Sequence, residues 1–159
     1  MTFNDLLKDL DIVAPLRLAQ PWDRVGAMTG RGSKEVKKVL VSLDASLGAF
    51  SHALAQGCDV WVTHHPLVWD PIKSLADPND QDPIHSGRLK LLLQCVEADL
   101  AVAACHTNWD AAEGGVNDAL AEKLGLSVTE RFGPGIHEER LKMAVTLPIE
   151  ALDPVIAAA

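Results

Sequence analysis

The stretch CDVWVTHHPLVW, residues 58–69, decides how the rest of the chain is read. From Val60 to Thr63 every residue is β-branched or aromatic, and no charged residue alternates with them. Such a run is expected of a strand covered on both faces, the situation of a parallel strand inside an α/β sheet. It leads straight into two adjacent histidines, His64 and His65, and then Pro66.

Two more segments of the same kind flank it. VKKVLVSLD, residues 36–44, places Val36, Val39, Leu40, Val41 and Leu43 in a β-rich run ending at Asp44. LAVAAC, residues 100–105, is a third apolar strand, and it ends at His106. Between them lie helical patterns. Ser46 is placed to cap a helix carrying Leu47, Phe50 and Leu54 on one face, stopped at Gly57. Leu89, Leu92, Leu93 and Val96 follow at i, i+3, i+4 and i+7. After His106 the segment HTNWDAAEGG reads as a loop opening a helix with Val116, Ala119, Leu120 and Leu124, which stops at Gly125. At the start of the chain, Phe3, Leu6, Leu7 and Leu10 have helical spacing, and Thr2 with Asp5 forms a capping-box pattern. QPWDRVGAMTGRGS, residues 20–33, reads as a turn because Pro21, Gly26, Gly30 and Gly32 interrupt it, and LKMAVTL, residues 141–147, reads as a last strand. Strands alternating with helices on short links predict an α/β fold: a parallel-rich sheet with helices on both faces, joined by right-handed crossovers. No repeat or linker divides residues 1–159, so one domain is expected. The closing LPIEALDPVIAAA starts a helical pattern without a stop signal, and this reads as the N-terminal part of a longer chain.

Bulk composition narrows the function. A chain of 159 residues, 48% of them hydrophobic, can bury a core without a disulfide or structural metal. The net charge of −8, with no basic run, argues against nucleic acid or an anionic membrane surface as partner. Cys58, Cys95 and Cys105 are odd in number and widely spaced, which fits buried reduced thiols and a cytoplasmic location. The N-terminus lacks the basic and apolar regions of a signal peptide, and no apolar stretch reaches the ~18 residues of a membrane span.

Asp44, His64, His65 and His106 all stand where a predicted strand gives way to its loop, and Asp110 follows four residues after His106. In open α/β sheets the C-terminal strand ends form one rim, and ligands bind outside it. A metal site at that rim is therefore expected. Alternation along an extended chain would point His64 and His65 to opposite sides, and Pro66 would hold them so, which fits two ions better than one. Imidazole donors suit Zn, Mn, Fe or Ni, and a carboxylate such as Asp110 can bridge two ions about 3.5–4 Å apart. The bland reading of any one such histidine is a hydrogen-bonded loop residue; the grouping is what favours ligation. Asp44 can orient an imidazole or cap a helix, and Trp22 can edge the cleft or anchor packing. His52, His85 and His137 read as solvated, Cys105 as core, and Gly114–Gly115 as a turn or an anion cradle.

Together WDRVGAMTG, VLVSLDAS, DVWVTHHPLVW and above all HTNWDAAEGGVNDALAEKLGL resemble the NIF-three-like dinuclear metal-centre proteins, the GTP cyclohydrolase I type 2 homologues, over residues 1–147. The resemblance implies a two-metal site with His64, His65 and Asp110 as ligands, and His106 beside it either supporting a ligand or acting as a catalytic, proton-transferring group. It also implies a later His and Glu completing the site, and a homohexamer. The function expected from residues and resemblance together is a divalent-metal-dependent hydrolase acting on a small molecule, such as GTP or a related nucleotide. The alternative is a non-catalytic metal-binding or protein-interaction module.

Overall fold

The computed structural model describes residues 1–72, 74, 75 and 83–131, with the backbone alone at 83–86. The strand expected at 141–147, the closing helical pattern, His137 and the side chain of His85 lie outside the described residues.

Helix α1 (Phe3–Val13) starts as the sequence dictates: the Thr2 hydroxyl accepts from the Asp5 amide while the Asp5 carboxylate accepts from the Thr2 amide. A 3-10 turn, Leu16–Leu18, follows. Four strands, β1 (Gly26–Thr29), β2 (Val39–Ser42), β3 (Val60–Thr63) and β4 (Ala101–Ala104), form one sheet in the order β1-β4-β3-β2. Strands β2, β3 and β4 are parallel, and β1 runs antiparallel to β4. Helices α2 (Leu47–Ala55) and α3 (Pro83–Glu97) make the crossovers, and α4 (Thr107–Ala111) and α5 (Val116–Lys123) follow β4. The Ser46 hydroxyl caps α2 by accepting from the Ala49 amide.

The sheet is covered on both faces. Trp61 and Val102 point into a core shared with Phe50, Ala53, Leu91, Leu92 and Cys95 from α2 and α3. Val60, Val62, Ala101 and Ala103 point the other way, against Phe3 and the partly buried Leu6, Leu7 and Leu10 of α1. This alternation explains why β3 and β4 contain no exposed residue. Trp61 is fully buried, and its indole N–H donates to the Ser42 hydroxyl at 2.8 Å, so the sheet's largest side chain is also satisfied at its polar end.

Two elements differ from the sequence reading. β1 occupies a segment read as a turn; its glycines punctuate a strand of only four residues instead of preventing one. Gly30 has φ +118, and a Cβ there would collide with Ala101, so glycine lets this strand's end press against β4. β2 is shorter than the apolar run, because the amides of Lys37 and Lys38 both donate to the Asp59 carboxylate and the ladder begins only at Val39.

Candidate metal centre

Parallel register builds the site. Ser42, Thr63 and Ala104 are aligned across β2, β3 and β4. The pairing runs on past the strand ends, with the amides of His64, His65 and Cys105 donating to the carbonyls of Ser42, Leu43 and Thr63. Two residues beyond the aligned row, Asp44, His65 and His106 therefore stand at one level, with His64 beside them. The three imidazoles converge: ring centroids are 4.9 Å apart for His64 and His65, 5.0 Å for His64 and His106, and 5.6 Å for His65 and His106. One ring nitrogen from each lies within 4.8 Å of the others, a spacing at which three donors can share one cation.

The adjacent histidines thus do not diverge as strand alternation would have them. The strand ends at Thr63 and the backbone bends at both His64 and His65, so the two-residue alternation no longer applies to them. Asp110 arrives by a different route. The segment read as a loop contains α4, whose first turn carries an Asp110 amide donating to the His106 carbonyl at 3.0 Å. That i, i+4 relation turns both side chains the same way, and Asp110 Oδ1 lies 3.7 Å from His64 Nε2.

Each ring is held by its other nitrogen. His64 Nδ1 lies 3.0 Å from the Cys105 carbonyl oxygen, which can only accept, so Nδ1 carries the proton and donates. His65 Nδ1 is 2.7 Å from Asp44 Oδ1, and His106 Nδ1 is 2.9 Å from Asp23 Oδ1. With all three Nδ1 atoms engaged by oxygen acceptors, all three Nε2 atoms are left to face a cation, the arrangement typical of metal-binding histidines. The chemistry of this donor set, three imidazoles and a carboxylate, fits a divalent transition ion. Of the two readings of Asp44, the imidazole contact is the one formed; the helix cap is Ser46.

Asp23 is the residue that sequence reasoning missed. Its side chain is fully buried, and besides His106 it accepts from the Arg24 amide at 2.7 Å, the Thr107 amide at 3.0 Å and the Thr107 hydroxyl. Burial alone would raise its pKa. The hydrogen bonds from Thr107, His106 and the Arg24 amide outweigh that and hold the carboxyl below the usual carboxylate range. Asn108 is equally buried: its Oδ1 accepts from the His106 amide at 2.9 Å and its Nδ2 donates to the Ala14 carbonyl at 2.6 Å, tying α4 to the end of α1. In the sequence each merely adjoins a tryptophan in a polar stretch, Asp23 after Trp22 and Asn108 before Trp109, and nothing local marks either as buried.

Trp22 and Trp69 lie alongside the cluster, with ring centroids 6.5 Å apart and planes 18° from parallel. Cys105, read as core, is partly buried on the α1 side of the sheet; burial raises its pKa, and pushes that of Cys95 up to about 11. The glycines at 114 and 115 form a turn and not an anion cradle, since their amides already donate to Asp118 and to the Ala112 carbonyl. His52 lies exposed on α2.

No helix among the described residues is long and apolar enough to cross a membrane. The family model Duf34/NIF3 (NGG1p interacting factor 3) matches residues 1–154. A GTP cyclohydrolase 1 type 2 homolog of Bacillus subtilis is 37% identical over 145 residues, 91% of this chain and 37% of the relative. Among solved structures, a Bacillus cereus protein related to NIF3 superposes with a TM-score of 0.72 at 34% identity, covering 82% of this chain and 34% of that one. Reduced HcgD from Methanocaldococcus jannaschii does so with a TM-score of 0.65 at 35% identity, covering 80% and 48%. The chain thus spans between about a third and a half of the length of these relatives. On sequence, fold and the order of its motifs, the chain belongs to the DUF34/NIF3 family.

Proposed function

We propose that the chain contributes to a divalent-metal-dependent hydrolase acting on a small molecule, a nucleotide such as GTP being the candidate that the relatives' names supply. The observation that carries this reading is the convergence of His64, His65 and His106, one ring nitrogen from each within 4.8 Å of the others. His64, His65 and Asp110 are the groups we assign to the metal. The Asp23 contact and the place of His106 in the cluster favour this third imidazole as a further ligand; the sequence reading has it as a proton carrier.

The chemistry that a bound divalent cation would supply is Lewis-acid activation of water and of the bond to be cleaved. The chain's own groups supply the rest. Asp23, Asp44 and the Cys105 carbonyl fix the three rings and their tautomers before any ligand arrives. Asp110, 36% exposed and 3.7 Å from His64 Nε2, would add a carboxylate to the ligand set, and its free oxygen could take a proton from an incoming nucleophile. A dinuclear centre, a homohexamer and a cytoplasmic location complete the proposal. Exposed Val41, Leu43 and Leu47 on and beyond the edge strand support self-association, and three free cysteines support a reducing compartment.

The test is metal content by mass spectrometry together with GTP hydrolysis, on the wild type and Asp110→Ala. Loss of metal and of turnover together in the variant is expected. Equal turnover in metal-stripped protein would sink the hydrolase reading, and stoichiometric metal without any turnover would favour a binding module.

A further inference from the structure

Trp22 is a large aromatic residue left 58% exposed beside a cluster of ring-fixed histidines. Its plane lies 18° from that of Trp69, at a centroid distance of 6.5 Å. Both indoles stand nearly perpendicular to His106, Trp69 at 5.2 Å and 90°, Trp22 at 6.2 Å and 72°. Two near-parallel indoles thus form an aromatic ledge whose inner end meets the proposed metal site.

The ledge is held from behind by Arg24. Its Nε donates to the Trp69 carbonyl at 3.1 Å, and its Nη1 donates to the Asp23 carbonyl at 3.0 Å and the Trp22 carbonyl at 3.4 Å. One guanidinium therefore joins the backbones of the two loops, far apart in sequence, that carry the two rings. Among the described residues no carboxylate forms an ion pair with the Arg24 guanidinium, whose donors go to backbone carbonyls instead. The consecutive residues Trp22, Asp23 and Arg24 then have three separate tasks: the first is the outer ring, the second fixes His106, and the third ties the outer ring to Trp69.

We propose that Trp22 and Trp69 form a stacking subsite for a flat heteroaromatic ring, so that the substrate class is one in which a nucleobase-like ring is joined to the group delivered to the histidines. An aliphatic patch would bury any apolar group equally well; parallel indoles favour flat π-systems, and stacking tolerates many ring types. Arg24 adds a positive charge next to the ring, on a chain whose overall charge is negative. The catalytic meaning of the subsite rests on the hydrolase reading, but ring binding does not.

The experiment is a titration of the full chain with adenosine and guanosine, followed through the tryptophan indole N–H resonances, with ribose as the control lacking a ring. It is run on metal-stripped and on metal-loaded protein. Saturable shifts of the Trp22 and Trp69 signals are expected with the nucleosides and not with ribose. Trp22→Ala should weaken nucleoside binding about tenfold, within the range for losing one stacked aromatic, while Trp22→Phe should largely restore it. Trp22 is mostly exposed, so the Ala variant should fold. Unchanged affinity in Trp22→Ala, equal shifts with ribose, or no saturable binding by the wild type would each overturn the subsite. Binding to the metal-stripped protein tests the ledge alone. Nucleoside binding by a protein that takes up no metal would therefore retain the subsite and sink only the hydrolase reading.

Discussion

Replacing Asp23 by asparagine tests how the site is held together. In the wild type Oδ1 accepts from His106 Nδ1 and the Arg24 amide, and Oδ2 accepts from the Thr107 amide and hydroxyl. An amide has only one oxygen, so one pair of donors must face an NH2 group. The less costly choice turns the nitrogen toward Thr107. Its hydroxyl already accepts from the Gln20 amide and can accept again, but the Thr107 N–H and the hydroxyl proton both lose the carboxylate oxygen that accepted them. An orphaned N–H of this kind costs about 1–3 kcal/mol, and the remaining bonds lose their charge assistance, so a net loss of about 2–3 kcal/mol is expected. For a chain of this size that is a fall in melting temperature of roughly 5–10 °C. His106 would still donate to an oxygen, now neutral, so metal affinity should fall about tenfold, at the lower end for such supporting partners. Urea denaturation gives the first number and competition against a chelator the second. Asp44→Asn is the control: the same kind of contact at His65, but with Asp44 65% exposed, should cost less than about 1 kcal/mol. If Asp23→Asn were as stable as the wild type and bound metal equally well, the account of Asp23 as the anchor of His106 would be wrong.

Two further outcomes follow from the sheet. Gly30→Ala combines a positive φ with a collision against Ala101, so it should cost at least about 2 kcal/mol in denaturant unfolding, whereas a wild-type stability would mean that β1 does not pack as described. Asp59 has its pKa lowered chiefly by the Lys37 amide, against the opposing effect of burial, with help from the Lys38 amide and the charges of Lys34 and Lys37. A folded pKa below the unfolded value of about 3.9 gives stability that is present above that value and lost as pH falls through the folded pKa. Asp59→Asn should therefore be less stable than wild type at neutral pH, with the gap closing under acid; a gap independent of pH in thermal melts would contradict the assignment.

Much of this arrangement is legible from residue types. Continuous apolar runs mark β3 and β4, Thr2 with Asp5 and Ser46 mark helix starts, and the placing of Asp44, His64, His65 and His106 after strand ends anticipates their meeting. What escapes the sequence is settled by tertiary contact. β1 exists because Gly30 can press on Ala101, a fact about a neighbour 71 residues away that no local pattern carries. The directions of His64 and His65 depend on the backbone bends at both residues, just past the end of β3, which remove the alternation. Asp23 looks like any loop carboxylate until the fold buries it against His106 and Thr107.

The most direct test of the central claim is an anomalous-scattering map from crystals grown with zinc or manganese. The expected map shows metal within about 2.0–2.2 Å of Nε2 of His64 and His65, as one ion or as a close pair, with His106 Nε2 and Asp110 in the same centre. Metal-grown crystals with only water between those side chains, or with a ring flipped to present Nδ1, would contradict it.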